Sequence, residues 1–496
     1  MIIRRMLAAL LLFAAVWFAV VLYWQASDAN PSAGDLAVWL LGLPLALLGG
    51  FWLLRWGIRR RREAQAASPM VAAGDDESSP VDNGPQPDRI IHLLAGAVWL
   101  RAGAGGEAVA EALAKPERPS LHPQLKDALG LPVFAAAVED LDPAAVEAPL
   151  RAADPDAFER VFGEESLRAI ALLDPVAEEL LLTALLPAPV EVVADPHGAT
   201  LHPHAMHHSR SVRAAAPAAA PPVLQIRLLL PRAWGPTARQ ASGDWLRAKA
   251  AAIGYAQHQF EIEVMPVASG NDSWRLFDQL AQAHARDGGD DRQLLLAAHS
   301  AIGEASIERL DARRELLVSG HPEGLIPGEG AAGLLFGHAV TPHDPDAPPL
   351  RLHRLLSGQA GQGRGASRQA AELLQHAMTT AAQPAEAIVA VFSDADHRPS
   401  RAIEIAGAIA ATLPELDPVD DARHLGLVCG DLGAVAPLAL LAAAAAQAAQ
   451  ADAPVLVFGL ADPQARIALA LSPAAVDVDD QPPNPAEAAT AVVATA

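Results

Sequence analysis

The chain has 496 residues, 51% hydrophobic and only 19% charged, so it must bury a large core and is too apolar to be disordered throughout. Its 36 basic and 58 acidic residues give a formal net charge of −22, which argues against nucleic acid as a partner, because a polyanion binds by exchanging counterions with a basic surface. A single cysteine, Cys429, excludes an intrachain disulfide and a cysteine-built metal cage.

Two uncharged apolar segments open the chain, residues 6–24 and 36–54, each about 19 residues long. At 1.5 Å per residue such a helix crosses a hydrocarbon core of about 30 Å. Trp17, Tyr23 and Trp24, then Trp39, Trp52 and Trp56, cluster near the ends, where amphipathic rings favour a membrane interface. Arg4 and Arg5 precede the first segment, Arg55 and Arg59 to Arg62 follow the second, and the loop between them has no basic residue. The positive-inside bias then predicts a transmembrane helical hairpin over residues 1–62, with both termini and the body in the cytoplasm.

Residues 63–88 are rich in Pro, Gly, Ser and Asp without apolar periodicity, and read as a flexible linker. An N-terminal α/β module with a connecting loop is expected over 89–222. It opens on IIHLLAGAVWLRAG, contains PSLHPQLKDALGLPVFAA, and ends in an apolar helix near residue 185. The connecting loop carries His202, His204, His207 and His208. Imidazole is a common zinc or nickel ligand, yet a loop fixes no ligand geometry and neither Cys nor a close acidic residue accompanies these four, so the expectation is a solvated loop and no metal.

From Val223 the chain alternates apolar strand runs (VLQIRLLL, FEIEVMPV, RQLLLAAH) with helical segments of ten or more residues, and the alternation recurs after Arg368. This pattern predicts a parallel-rich sheet covered on both faces, and two similar halves suggest an internal duplication. The body is expected over 223–475 and a disordered tail over 476–496.

The stretch GLIPGEGAAGLLF places Gly324, Pro327, Gly328, Glu329 and Gly330 in a glycine-rich turn that runs into an apolar strand. Following LLLAAH, this turn resembles the one that ends the first half of the thiolase and β-ketoacyl synthase superfamily. Downstream, IVAVFSDADHRPSRAIEIAGAI, LGLVCGDLGAVAPLALLAAAAA and APVLVFGLADPQARIALAL resemble further segments of that superfamily in the same order. The resemblance implies a layered αβαβα body. It also implies a nucleophilic Cys at a helix N-terminus and two charge-stabilising His residues. Here those positions fall on Gly270 within ASGNDS, on Ser393 and on Gly430, so the catalytic residues are absent and no cofactor is implied. Cys429 suits a packed structural thiol better than a displaced nucleophile. Ser393, Asp394, Asp396 and His397 hold the residue types of a hydrolytic triad, but neighbours on one loop seldom orient in series.

The apolar spans, the HPQLKDALGLPVF stretch and the GLIPGEGAA turn together resemble the adaptor family for type VI secretion lipase effectors in Gram-negative bacteria. That resemblance implies a non-enzymatic, inner-membrane adaptor that binds a lipase effector and delivers it to the VgrG spike. Trp234, Trp245 and Trp274 are candidate anchors, though a Trp in a chain this poor in aromatics is more often core. The alternative is a divergent thiolase-like acyl transferase or condensing enzyme. The thiolase-like resemblance also implies a possible homodimer.

Overall fold

Strands whose residues are apolar without interruption must be covered on both faces, and the Ala-rich segment near residue 440 is small enough to fit between two such surfaces. The computed structural model describes residues 90–153, 158, 161–185, 223–287, 292–337, 350–361 and 363–474. The expected hairpin (1–62), linker (63–88), His202 to His208 and tail (476–496) lie outside the described residues.

The elements run β1 (Ile91–Leu100), α1 (Gly106–Ala114), β2 (Leu121–Lys126), β3 (Pro132–Phe134), α2 (Ala144–Ala153), α3 (Glu164–Ala184), β4 (Leu224–Pro231), α4 (Pro236–Ile253), β5 (Phe260–Val267), α5 (Gly270–Asp287), β6 (Gln293–Ser300), α6 (Glu304–Ala312) and β7 (Glu329–Gly337). They continue with β8 (Leu350–Leu352), β9 (Leu356–Gln359), α7 (Ala366–Thr380), β10 (Val391–Ser393), α8 (Pro399–Thr412), β11 (Ala422–His424), α9 (Leu425–Cys429), α10 (Ala436–Ala451), β12 (Val455–Gly459) and β13 (Ala465–Pro473).

The duplication suspected from the sequence is plain in the topology. One half has strand order β5-β4-β6-β7-β1 and the other β11-β10-β12-β13-β8. In the first, β4 pairs in parallel with β5 and β6, while β7 runs antiparallel to both β6 and β1. In the second, β10 pairs in parallel with β11 and β12, while β13 runs antiparallel to both β12 and β8. Each half is therefore mixed, with one strand opposing the other four. The halves meet where Ile91 to Leu93 pair with Leu350 to Leu352. The expected boundary at 222/223 falls between strands of one sheet, because β1 supplies the first strand of a half whose remaining strands lie beyond Val223.

Five layers follow from burial. Apolar side chains of α3 and α4 cover one face of the first half, and those of α7 and α8 cover the far face of the second. Between the two halves of the sheet lie α1, α5 and α10, with Leu438, Leu440 and Leu441 among the buried residues of α10. Each such leucine contributes about 1.5–3 kcal/mol by leaving water. Among the described residues the segment Gly433–Ala451 is the one helix long and apolar enough to cross a membrane, and its largely buried setting is that of a core helix. Its alanines allow close approach: a Cβ on Gly96 would stand 3.2 Å from the Ala442 Cβ, and one on Gly106 would stand 2.7 Å from the Ala442 carbonyl oxygen. Ala442→Leu is therefore expected to destabilise the protein by about 1–3 kcal/mol, read as a lower urea midpoint with unchanged m-value.

Candidate functional site

Strand ends of both halves open into one cavity of about 470 Å³. Ser269, Gly270, Asn271 and Trp274 reach it from the start of α5; Asp394, Asp396 and Arg398 from the loop after β10; Gly430 to Gly433 from the turn before α10; and Gly459 and Ala461 from the end of β12. Arg314, Glu315, His321 and Glu323 line it from the loop before β7. In α/β sheets the carboxyl ends of the strands are where ligands bind, because loops there are free to vary while strands hold them in place.

The glycine-rich turn forms part of the frame beneath this cavity. Glu329 is fully buried, and one of its oxygens accepts bonds from the Val138 amide at 2.8 Å and from the Arg168 guanidinium. The other accepts from Arg168 Nε and from Ser300 Oγ, each at 2.8 Å. Every donor comes from the scaffold, so Glu329 is a structural carboxylate. A Cβ on Gly324 would run into the Leu316 backbone, one on Gly328 into the Cys429 carbonyl and one on Gly330 into the Leu100 side chain. Pro327 bridges to Asp431, whose amide donates to the Ile326 carbonyl at 2.8 Å. Two stretches singled out separately in the sequence, 324–330 and 429–431, thus pack directly on each other.

All three positions that the superfamily resemblance assigns to catalytic residues have structural occupants. A Cβ on Gly270 would meet the Gly433 carbonyl oxygen at 3.1 Å and Pro437 Cδ at 3.4 Å, tight for any side chain without a shift. Gly430 has φ +64°, which favours glycine, and its Cβ direction points at the Ile326 carbonyl oxygen 2.6 Å away. Ser393 is buried at the end of β10, with its hydroxyl 2.7 Å from Nδ1 of His424, its register partner on β11. Burial, with Arg423 nearby, lowers the His424 pKa to about 4, so this pair is neutral at pH 7.

The Ser393, Asp394, Asp396 and His397 stretch does not form a triad. Ser393 turns to His424 instead; Asp396 pairs with Arg398 at 2.6 Å; and both ring nitrogens of His397 are buried without a hydrogen-bond partner. Asp394 Oδ1 accepts the amides of Leu460 at 2.6 Å and Ala461 at 3.0 Å. Burial raises its pKa to about 6 against the lowering effect of those two bonds. The buried Cys429 ends α9, and desolvation pushes its thiol up to about 12, the opposite of nucleophile activation. Trp274 is core, edge-on to Phe277 at 6.4 Å between centroids, and Trp234 and Trp245 pack partly buried against α3 and α4. Among the described residues no cluster of His, Cys, Asp and Glu has metal-holding geometry.

The sequence reading missed His424 and Arg168, whose partners lie 31 and 161 residues away. For His424 the strand-end position was the available signal; for Arg168 none was local.

No protein-family model matches the chain, and no curated protein matches it by sequence. Solved structures do match. A ketosynthase in complex with its acyl-carrier protein, from a type II polyketide synthase, is 11% identical with TM-score 0.50, over 78% of this chain and 100% of that one. The ishigamide ketosynthase/chain length factor is 13% identical at TM-score 0.49, over 78% and 99%. A β-ketoacyl synthase from Burkholderia phymatum is 14% identical at TM-score 0.48, over 78% and 100%. The polyketide synthase match, with the strand order of the two halves, defines a thiolase-like ketosynthase fold with a mixed sheet. It overturns the expectation of a chain that is not an enzyme, because the fold is one that enzymes carry. None of these structures supports the secretion-adaptor part of the resemblance.

Removing one partner of a buried charge pair leaves the other uncompensated. Arg168→Met should therefore cost about 3–5 kcal/mol in urea unfolding, with much of the loss recovered by adding Glu329→Gln. The Cys429 thiol should resist iodoacetamide at pH 8 in the folded chain and react readily in denaturant, as followed by intact mass.

Proposed function

We propose that the chain is a divergent thiolase-like acyltransferase that moves an acyl group from a thioester to an acceptor within the cavity, without first loading it on a cysteine. The observation that carries this reading is the cavity itself, walled by strand ends of both halves and by the N-terminus of the 18-residue helix α5. The positive end of that helix favours the negative charge that develops on a thioester oxygen under attack. Gly270 leaves tight space for a nucleophilic side chain, and Cys429 is shielded and unactivated. A covalent cysteine intermediate is thus disfavoured, and direct transfer is the chemistry that fits. By the superfamily resemblance, Ser393 and Gly430 take the positions of the histidines that a decarboxylating condensation would use, which favours transfer over carbon–carbon bond formation. The apolar spans at residues 6–24 and 36–54 would hold this body at the cytoplasmic face of a membrane.

The test is thiol release from acetyl-pantetheine by the full chain in detergent, with and without alcohol acceptors. Release above the uncatalysed rate is expected, unchanged in Cys429→Ala and lowered at least tenfold in Ala436→Phe, which projects a ring from the cavity wall. Release no faster than the blank, or its loss in Cys429→Ala, would remove the reading.

A further inference from the structure

We propose, resting on the acyltransferase reading above, that Asp394 is the catalytic base of the transfer and that the acceptor it serves is an alcohol. Asp394 directly follows the last residue of β10, so the strand end fixes its backbone. Its Oδ1 is pinned by the two successive amides of Leu460 and Ala461, which orients the carboxyl group. Among the described residues Oδ2 takes no donor, and the residue borders the cavity. A carboxylate at a cavity wall, with one oxygen fixed and the other without a donor among the described residues, has the arrangement a general base requires.

The neighbouring charges leave Asp394 in that role. On its own loop, Asp396 is bound through both oxygens by Arg398. From α8, Arg401 faces it and donates to the Ala461 carbonyl oxygen at 3.3 Å, while Glu404 is tied to Arg466 of β13 at 2.6 Å. From β11, His424 is neutral and occupied by Ser393. Asp431 across the cavity is exposed and holds the Gly433 amide at 3.1 Å.

The step balances without a co-reactant. Oδ2 takes the hydroxyl proton as the acceptor oxygen attacks the thioester carbonyl carbon. The new C–O bond forms, the oxyanion collapses, the C–S bond breaks, and the departing sulfur takes the proton back from Asp394. The products are an ester and a thiol, and the carboxylate is restored. The carboxylate can take the proton of a neutral hydroxyl as that oxygen attacks, whereas an ammonium group held by it stays protonated and has no lone pair to attack with, hence the alcohol.

Thiol release from acetyl-pantetheine with glycerol as acceptor is measured from pH 4.5 to 8. In the wild type the rate should climb with pH through about 6 and then level, because only the ionised carboxylate is a base. Asp394→Asn keeps an oxygen for the Leu460 and Ala461 amides, and should lose at least 100-fold together with the pH step. Asp394→Glu should retain a step at reduced rate, and urea midpoints report whether each variant folds. A working wild type whose rate and pH step persist in a folded Asp394→Asn overturns this proposal alone. A wild type silent at every pH overturns the acyltransferase reading and this proposal with it.

Discussion

One buried carboxylate sets the geometry on which the cavity depends. Glu329 has no exposure to solvent, and an ion in that position is tolerated only when its oxygens are filled with donors. Its donors come from the loop after β3, from the first turns of α3 and from the end of β6. Satisfying one residue therefore brings together segments separated by up to 191 positions. It also fixes where β7 begins, which places the 324–328 turn against Cys429 and Gly430, and that contact forms part of the cavity floor. Arg168 is the indispensable member, since it alone supplies the compensating charge.

The central layer imposes a second constraint. Two halves of a sheet can face a common helix only if that helix is thin, and α10 meets this condition with alanine, including Ala442 against the glycines of β1 and α1. Large buried side chains on α10 are confined to leucines near its start. The site lies at that end, where helices begin and strands finish, so amide dipoles and loop side chains converge on one space.

Much of this was legible beforehand. From Val223 onward, period and punctuation gave the strands and helices, and the order of four short motifs gave the fold. What the sequence concealed was partnership across distance. The segment 91–100 reads as an apolar run, but nothing local shows that it closes a half whose other strands begin over a hundred residues later. His424 was hidden for the same reason, because a register between strands decides its contact with Ser393. Glu329 was noticed as part of a turn while its role was invisible without Arg168. The residue types of a triad over 393–397 do not combine, as their place on one loop suggested: Asp394 and Ser393 are adjacent in the chain, yet one carboxyl group meets the β12 end and the other side chain turns to the neighbouring strand.

The closure at Gly270 has a consequence for engineering. Because the Gly433 carbonyl oxygen and Pro437 Cδ lie 3.1 and 3.4 Å from where a Cβ would stand, a cysteine introduced there would need the start of the central helix to give by a few tenths of an ångström. Installing a thiol at the mouth of α5 is thus a problem of local packing as well as of residue choice. Gly270 belongs instead to the joint between the two halves, where it serves as a bearing surface.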